Sequence, residues 1–313
     1  MNIAALRLAR FNALFPDEEA ARAWFERARW PDGPVCQHCD SINKSWWLKT
    51  RRLWCCGLCR RQFSVTAGTP MHGSHLSLLT WARAIYLILA SSKGLSAVKL
   101  GEMLGVCYST AWFLGHRIRA MMSEADPLLS GVVELDEMYG GAPPRRKAAG
   151  DLSPPHKSGR GPRRPLVLVA AQRGGTVVAK TIPTHSRAAI RDALNGLLSP
   201  DATVMTDGLP AYKQFGRDRQ HLAVTHSARE YARTDAATGR RVHVNRVESF
   251  NSLLRRAIIG VWRWISAKHL QRYAGETTFR SNHGDEACLD RMARLIRNGD
   301  GNRLPYAELV EAA

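Results

Sequence analysis

The sequence predicts an α/β domain that follows a cysteine-rich segment and a run of helices. Three observations support this fold class. Five of the seven cysteines lie between Cys36 and Cys59, which is the clustering of a small metal-binding module. Residues 76–125 are apolar at helical spacing. From Gly131 onward, the order is strand, strand, strand, helix, strand, helix, strand, helix, which is typical of an α/β fold.

The composition favours a polyanionic partner. The chain has 313 residues, enough for two or three domains, and a formal net charge of +18. An excess of Lys and Arg of this size suits phosphate binding, because each contact releases a counterion from the nucleic acid. We find no apolar run of 18 residues and no charged-then-apolar leader. We therefore expect a soluble bacterial protein of the cytoplasm, associated with the nucleoid and not with a membrane.

These patterns predict five consecutive segments. The first contains an amphipathic helix within residues 14–30, for which Pro16 and Asp17 are the start signal. The predicted segments are an N-terminal helical region (1–34), a zinc ribbon (35–70), a helical DNA-binding segment (75–126), an α/β catalytic domain (130–285) and a C-terminal tail (286–313).

The cysteine cluster contains two CxxC pairs, which is the pattern of a structural zinc site. Cys36 and Cys39 form the first pair, and Cys56 and Cys59 form the second. Zinc takes four such ligands in a tetrahedron, which leaves no open position for catalysis. Cys55 in place of Cys56 and His38 as a substitute ligand are the alternatives, and buried free thiols are the non-metal interpretation.

The helical segment has the pattern of a helix-turn-helix. Two helical stretches meet at Gly105, and the second begins near Ser109 and Thr110. These residues, together with Arg117 and Arg119, are placed as on a recognition helix, which lies in the major groove of DNA. We therefore expect Arg117 and Arg119 to contact DNA. A plain helical linker is the alternative interpretation.

Three acidic residues occur where strands end or helices begin in the α/β domain. Asp136 ends the first strand, Asp207 follows the fourth, and Glu248 lies near the start of the helix after the fifth. In a ribonuclease-H-like sheet the first and fourth strands are central neighbours, so these carboxylates converge. Carboxylates are the ligands that Mg²⁺ prefers, and a converging set without a cation would repel. Two such ions, roughly 3.5–4 Å apart, can serve the attacking and leaving oxygens of a phosphodiester transfer.

Each acid also has a simpler interpretation. Asp207 with Gly208 can be a turn after a strand, and Asp136 can be a solvated strand end. Asn245 and Glu248 fit a reciprocal helix cap. The other candidates for the third acid are Glu230 and Glu276.

A basic loop directly follows the first strand of this domain. It spans residues 140–165 and is too rich in Gly and Pro to pack a core. We expect it to bind DNA, with a solvated insertion as the alternative. Its basic residues are Arg145, Arg146, Lys147, Lys157, Arg160, Arg163 and Arg164.

Over residues 15–285 the chain resembles the zinc-ribbon DDE transposases of bacterial insertion sequences, in the family numbered fifteen ninety-five, of the ISXO2-like type. The resemblance lies in the segments CQHC…CCGLCRRQFSVTAGTPMHGS, ELDEMYGG, TDGLPAY, HVNRVESFNSLLRR and HLQRYAGETTFRSNH. It implies a ribonuclease-H-like catalytic domain with two Mg²⁺ or Mn²⁺ ions and a structural Zn²⁺. It also implies cleavage and strand transfer at element ends in double-stranded DNA, by a homo-oligomer on that DNA.

By position, the resemblance makes Asp136, Asp207 and Glu248 the three acids. Arg255 matches the basic residue seven places after the third acid, where Lys is common. It makes Cys36, Cys39, Cys56 and Cys59 the zinc ligands. Two other functions remain open at this point, a structure-selective nuclease and a DNA-binding regulator or inactive transposase remnant.

Overall fold

The computed structural model describes residues 8–141 and 165–311, which form two compact units. The first unit contains the described residues up to Glu124 and those from His283 onward. The second unit is Ala125–Asn282. The basic residues expected in the 140–165 loop, from Arg145 to Arg164, lie outside the described residues.

The first unit begins with two helices, a small sheet and three further helices. Their bounds are α1 Leu8–Leu14, α2 Glu18–Arg29, β1 Ser45–Leu48, β2 Leu53–Cys56, β3 Gln62–Phe63, α3 Leu78–Ala90, α4 Ala97–Leu104 and α5 Tyr108–Met121. The strands form one antiparallel sheet in the order β1-β2-β3. Helix α2 starts at the predicted place, because the Asp17 side chain accepts a hydrogen bond from the backbone N–H of Ala20 at 2.8 Å. Helix α1 was not predicted.

The predicted helix pair of the first unit is confirmed as α4 and α5. Ser96 caps α4 through the N–H of Lys99. Gly105 ends α4 with a φ of 68°, in the left-handed region that glycine enters without strain. Cys107 is the residue that precedes α5, and the helix begins at Tyr108.

The second unit is the predicted α/β domain. Its bounds are β4 Val132–Tyr139, β5 Leu166–Gln172, β6 Val177–Ile182, α6 Arg187–Leu194, β7 Thr203–Thr206, β8 His221–Ala223, β9 Arg233–Thr234, β10 Arg241–Val242, α7 Asn245–Ala257 and α8 Ala267–Asn282. A 3-10 helix spans Pro210–Arg217, and a π-helical turn over Ile258–Trp262 follows α7. The polar stretch before α7 contains the short β9-β10 hairpin.

The central sheet has the ribonuclease-H-like strand order β6-β5-β4-β7-β8. Strands β4, β5 and β6 pair antiparallel, while β7 is parallel to both β4 and β8. The predicted adjacency of the first and fourth strands is therefore confirmed as β4 beside β7. Apolar side chains fill both faces of the sheet, with α7 and α8 on one face and α6 with the 3-10 helix on the other.

The C-terminal residues return to the first unit. Helix α9 (Cys288–Asn298) buries Met292, Leu295 and Ile296, and it packs against α2, α3 and α5. A short helix, α10 (Tyr306–Val310), follows it. The segment that the sequence suggested as a tail thus contributes to the apolar core of this unit. Among the described residues, no helix is both long and apolar enough to cross a membrane.

Candidate zinc cluster and carboxylate site

Four cysteines of the first unit meet around one point. The Sγ atoms of Cys36, Cys39, Cys56 and Cys59 all lie within 4.8 Å of one another. Cys36 and Cys59 are 3.6 Å apart, as are Cys39 and Cys56. Four sulfurs at about 2.3 Å from a tetrahedral zinc ion lie about 3.8 Å from each other, so the spacing fits zinc.

The structure selects Cys56 over its neighbour Cys55. These residues are consecutive in β2, so their side chains point to opposite sides. The Cys55 thiol faces the carbonyl oxygen of Arg60 at 3.6 Å, away from the other three sulfurs. The His38 ring lies 3.3 Å from Arg61 and is not part of the cluster. The two alternative ligands are therefore excluded.

Asp136 and Asp207 lie at the same level of the central sheet. In the parallel pairing of β4 with β7, Leu135 is opposite Thr206, and each aspartate is the next residue. Strand β7 ends at Thr206, just before Asp207, but β4 continues past Asp136 to Tyr139, so the prediction that Asp136 ends its strand is wrong. Asp136 still lies beside the carboxyl end of β7, and in open α/β folds ligands bind at that edge of the sheet. The structure thus brings these two predicted residues together.

Asp136 accepts two hydrogen bonds that favour its charged form, but burial and neighbouring acids outweigh them. Its Oδ1 accepts a hydrogen bond from the Glu137 N–H at 2.9 Å, and its Oδ2 accepts one from Asn251 Nδ2 at 2.8 Å. Burial, followed by the negative charges of Glu137 and Asp207, raises the pKa of Asp136 to about 7. A cation beside the two aspartates would reverse this effect.

Glu248 does not share this place in the structure. Its side chain is 47% exposed, and Oε1 lies 3.5 Å from Nε2 of His226. Among the described residues, only the four cysteines form a group of three or more acidic, His or Cys side chains with ligand atoms that close together. The rotation of α7 explains the difference, because its buried face carries Val247 and Leu254 and turns Glu248 to the flank.

The side chain of α7 that reaches Asp136 is Asn251, three residues after Glu248. From the sequence, Asn251 was only a less certain neighbour of Glu248 on this helix, with no predicted role. The sequence does contain a pattern that could have identified Asn251. It is a polar residue at a position where the helical spacing of Val247, Phe250 and Leu254 predicts the core. Asn251 is itself buried.

The helix cap proposed for Asn245 and Glu248 is absent from α7. The residue before the helix is Val244, and no side chain of the cap position binds the first turn. Instead, Glu134 of β4 accepts hydrogen bonds from the backbone N–H groups of Arg246 at 2.8 Å and Val247 at 3.2 Å. Glu134 is two residues before Asp136, so one strand both carries an acid and anchors α7.

A second polar network lies on the other face of β4. Tyr212 donates a hydrogen bond to Oε2 of Glu137 at 2.5 Å. His185 bridges Glu137 at 3.2 Å and the hydroxyl of Tyr139 at 3.0 Å. This network holds the last residues of β4, next to Asp136, in place.

The remaining candidate acids have structural partners. The buried carboxylate of Glu276 in α8 pairs with Arg280 at 2.9 Å. Glu230 accepts a hydrogen bond from the Thr225 N–H at 3.1 Å.

The arginines expected on a recognition helix are corrected by the structure. Arg117 and Arg119 are 9% and 5% exposed, respectively. Arg117 donates to the carbonyl oxygen of His72 at 3.2 Å, and its guanidinium lies 4.0 Å from the ring centroid of Phe113. Because α5 packs inside the first unit, these positions do not face outward; Tyr108 and Ser109, at its start, do. Arg255 of α7 is exposed.

Two family models match the chain. The ISXO2-like transposase domain matches residues 128–282, and the transposase zinc-ribbon domain matches residues 16–62. The chain belongs to the ISXO2-like transposases. At class level it is therefore a transposase, a nucleic-acid-processing enzyme, and its four-cysteine cluster is the structural zinc site of a zinc ribbon.

A curated relative of this transposase comes from Halobacterium salinarum. It is described as an uncharacterized protein in transposable element ISH50, and it is 28% identical over 258 residues. The match covers 77% of this chain and 83% of the relative. Among solved structures, the Mos1 transposase paired-end complex with left transposon end matches at 13% identity, over 71% of this chain and 79% of that one, with a TM-score of 0.27.

Proposed function

We propose that this transposase cuts phosphodiester bonds at the ends of its element and joins the freed 3′ hydroxyl groups to target DNA, with divalent metal ions. The observation that carries the proposal is the register of Asp136 and Asp207 on neighbouring parallel strands. The raised pKa of Asp136 supports it, since a buried carboxylate beside a second acid suits a site that holds a cation.

Asp136 and Asp207 are the proposed ligands of two Mg²⁺ or Mn²⁺ ions, and Glu248 is the proposed third acid. Such ions, when bound, activate the attacking oxygen and stabilise the leaving oxygen of each phosphodiester step. The donor set fits them, because hard cations prefer carboxylate and amide oxygens. In this role Glu248 would exchange its contact with His226 for the metal. Arg255 is proposed to hold a DNA phosphate near the site.

The chain's own groups organise the site. Glu134 fixes the first turn of α7 to β4, which sets the position of Asn251 and Glu248 relative to Asp136. The apolar face of α7 packs against the central sheet in one buried cluster, which fixes the helix on the sheet. Rigid support of this kind keeps charged groups in a productive arrangement before DNA arrives.

The proposed partner is double-stranded DNA, at the element ends and at the target, bound by a homo-oligomer in the bacterial cytoplasm. The net charge of +18 supports a polyanionic partner. The basic loop with Arg145 and Lys157 is proposed as one contact. The zinc ribbon is proposed as another, because it exposes Lys49, Arg51, Arg52, Arg60 and Arg61.

A strand-transfer assay tests this function. Purified full-length protein is incubated with duplexes from the flanks of its own locus and a target plasmid, with Mg²⁺ or with EDTA. We expect metal-dependent nicking at the ends followed by joining. Asp136→Asn and Asp207→Asn should each abolish both steps and keep DNA binding, whereas Asp201→Asn, an exposed aspartate of the same unit, should keep all three.

The outcomes separate the alternative functions. Cutting of branched DNA without any joining would favour a structure-selective nuclease. DNA binding without metal-dependent cutting would favour a regulator or an inactive remnant. Joining by Asp136→Asn at the wild-type rate would overturn the proposed site.

A further inference from the structure

Asn251 is a polar residue on the apolar face of α7. It is 5% exposed, and its helical neighbours on that face, Val247, Phe250 and Leu254, are all buried. A buried amide group without its hydrogen bonds destabilises the folded state, because its bonds to water are lost and not replaced. An amide at this position therefore needs a polar partner or a function that offsets the cost.

Only one of the two polar atoms of the Asn251 side chain has such a partner among the described residues. Nδ2 donates to Oδ2 of Asp136 at 2.8 Å. Oδ1 is buried and accepts no hydrogen bond from any residue that the structure describes. The oxygen and nitrogen of an Asn amide exchange places when its terminal torsion turns by a half-circle. The side chain can thus present either atom to Asp136.

The hydrogen-bond distance between the amide and Asp136 would also let an amide oxygen, placed where Nδ2 now lies, share one ion with Asp136. Mg²⁺ binds its ligands at about 2.1 Å in an octahedron, so neighbouring oxygens lie about 3.0 Å apart. The observed separation is 2.8 Å. Two oxygens at that distance repel each other unless a cation lies beside both. The Asn251 oxygen therefore faces the ionised carboxylate of Asp136 favourably only when an ion is shared.

We propose that Oδ1 of Asn251 is a direct ligand of the divalent ion that Asp136 holds. The inference rests on the proposed function, because it requires an ion at Asp136 and Asp207. It adds to the site a neutral oxygen ligand from the buried face of α7, independent of Glu248. Binding of the ion gives the buried Oδ1 the partner that the protein does not provide.

A positioning role for Asn251 predicts different variant behaviour. If the amide only donated its N–H to orient Asp136, a carboxylate at position 251 would remove the donor and weaken ion binding. If the oxygen is a ligand, Asn251→Asp keeps that ligand and adds charge. Asn251→Leu removes both atoms at similar size, so ion affinity falls under either role. The aspartate variant therefore decides between them.

The experiment measures Mn²⁺ binding to the full-length protein without DNA, by electron paramagnetic resonance of the free ion. We expect Asn251→Leu to weaken binding by about tenfold or more, since even the loss of a residue behind a ligand costs roughly that much. We expect Asn251→Asp to bind at least as tightly as wild type. Two matched controls on the same helix are Asn245→Leu, an exposed asparagine, and Ser249→Asp, an exposed position that receives the same charge. Both should leave the affinity within about twofold.

Each outcome bears on one proposal. Wild-type affinity in Asn251→Leu, or weaker binding in Asn251→Asp, overturns the ligand role of Asn251 and leaves the proposed function intact. A gain in Ser249→Asp equal to that in Asn251→Asp also overturns it, because charge alone then explains the gain. Mn²⁺ binding that is unchanged in Asp136→Asn overturns the metal site itself, and with it the proposed function. Thermal unfolding of each variant confirms that the affinities refer to folded protein.

Discussion

Glu134 is fully buried and forms an ion pair with Arg173, whose Nε lies 2.7 Å from Glu134 Oε1. The same carboxylate also accepts the backbone N–H groups of the first turn of α7. One charged group therefore joins β4, the β5-β6 turn and α7. Removal of one partner of a buried pair is costly because the other charge is left without compensation.

Glu134→Ala should therefore destabilise the second unit and loosen α7. We expect a loss of about 3 kcal/mol in the free energy of unfolding by urea. Hydrogen exchange should accelerate at the amides of Arg246 and Val247, which lose their acceptor. Asp126→Ala, which breaks the exposed pair with Lys180, should cost less than about 1 kcal/mol. Equal losses in the two variants would contradict the anchoring role of Glu134.

Asp136 should make both stability and metal binding depend on pH. Its pKa of about 7 in the folded state lies above the ordinary aspartate value of 3.8, so the folded state releases this proton at a higher pH than the unfolded state does. Stability from this group is therefore complete below about pH 4 and is lost as the pH rises to about 7. Above about pH 7 the buried, ionised Asp136 destabilises the folded state to its full extent, unless a bound cation compensates the charge.

The test of this prediction compares unfolding temperatures at pH 5, 6, 7 and 8 with EDTA or Mg²⁺. Asp136→Asn should unfold several degrees higher than wild type in EDTA at pH 8, with a smaller difference at pH 5. The increase that Mg²⁺ gives to wild type should grow from pH 6 to pH 8 and be absent in the variant. A Mg²⁺ effect independent of pH would contradict proton competition at Asp136.

The adjacent cysteines of β2 offer a matched pair for the zinc site. Cys56→Ser should lower the zinc content of the purified protein well below one ion per chain, because its Sγ lies with the other three ligands. Folding of the ribbon should fail with it, since metal binding and folding are coupled in such modules. Cys55→Ser should keep one zinc ion, because its thiol faces Arg60. Elemental analysis measures both, and equal zinc in the two variants would refute the assignment.

Arg117 and Arg60 should differ in their effect on DNA binding. Arg117→Ala should reduce the thermal stability of the first unit and leave the salt dependence of DNA affinity unchanged, because the side chain is buried against Phe113 and His72. Arg60→Ala, at an exposed position of the ribbon, should reduce the salt slope by about one. Fluorescence anisotropy over a range of salt concentrations measures the slopes. A reduced slope in Arg117→Ala would restore the recognition-helix role that burial argues against.

Local patterns in the sequence were enough to predict the order of strands and helices along the chain, the position of α2 and the spacing of the zinc cysteines. Each depends on residues a few positions apart, such as Asp17 before its helix or Cys36 three residues before Cys39. The placement of Asp136 beside Asp207 was also predicted, because the first and fourth strands are neighbours in the ribonuclease-H-like sheet to which the element order was assigned.

Tertiary packing decided which side chains face the site. The rotation of α7 about its axis is set by the burial of Val247 and Leu254, and it brings Asn251, not Glu248, to Asp136. Packing likewise buried Arg117 inside the first unit, although its sequence position on α5 suggested an outward face. Periodicity places residues on a common face of a helix, but contacts between segments distant in the chain determine where that face points.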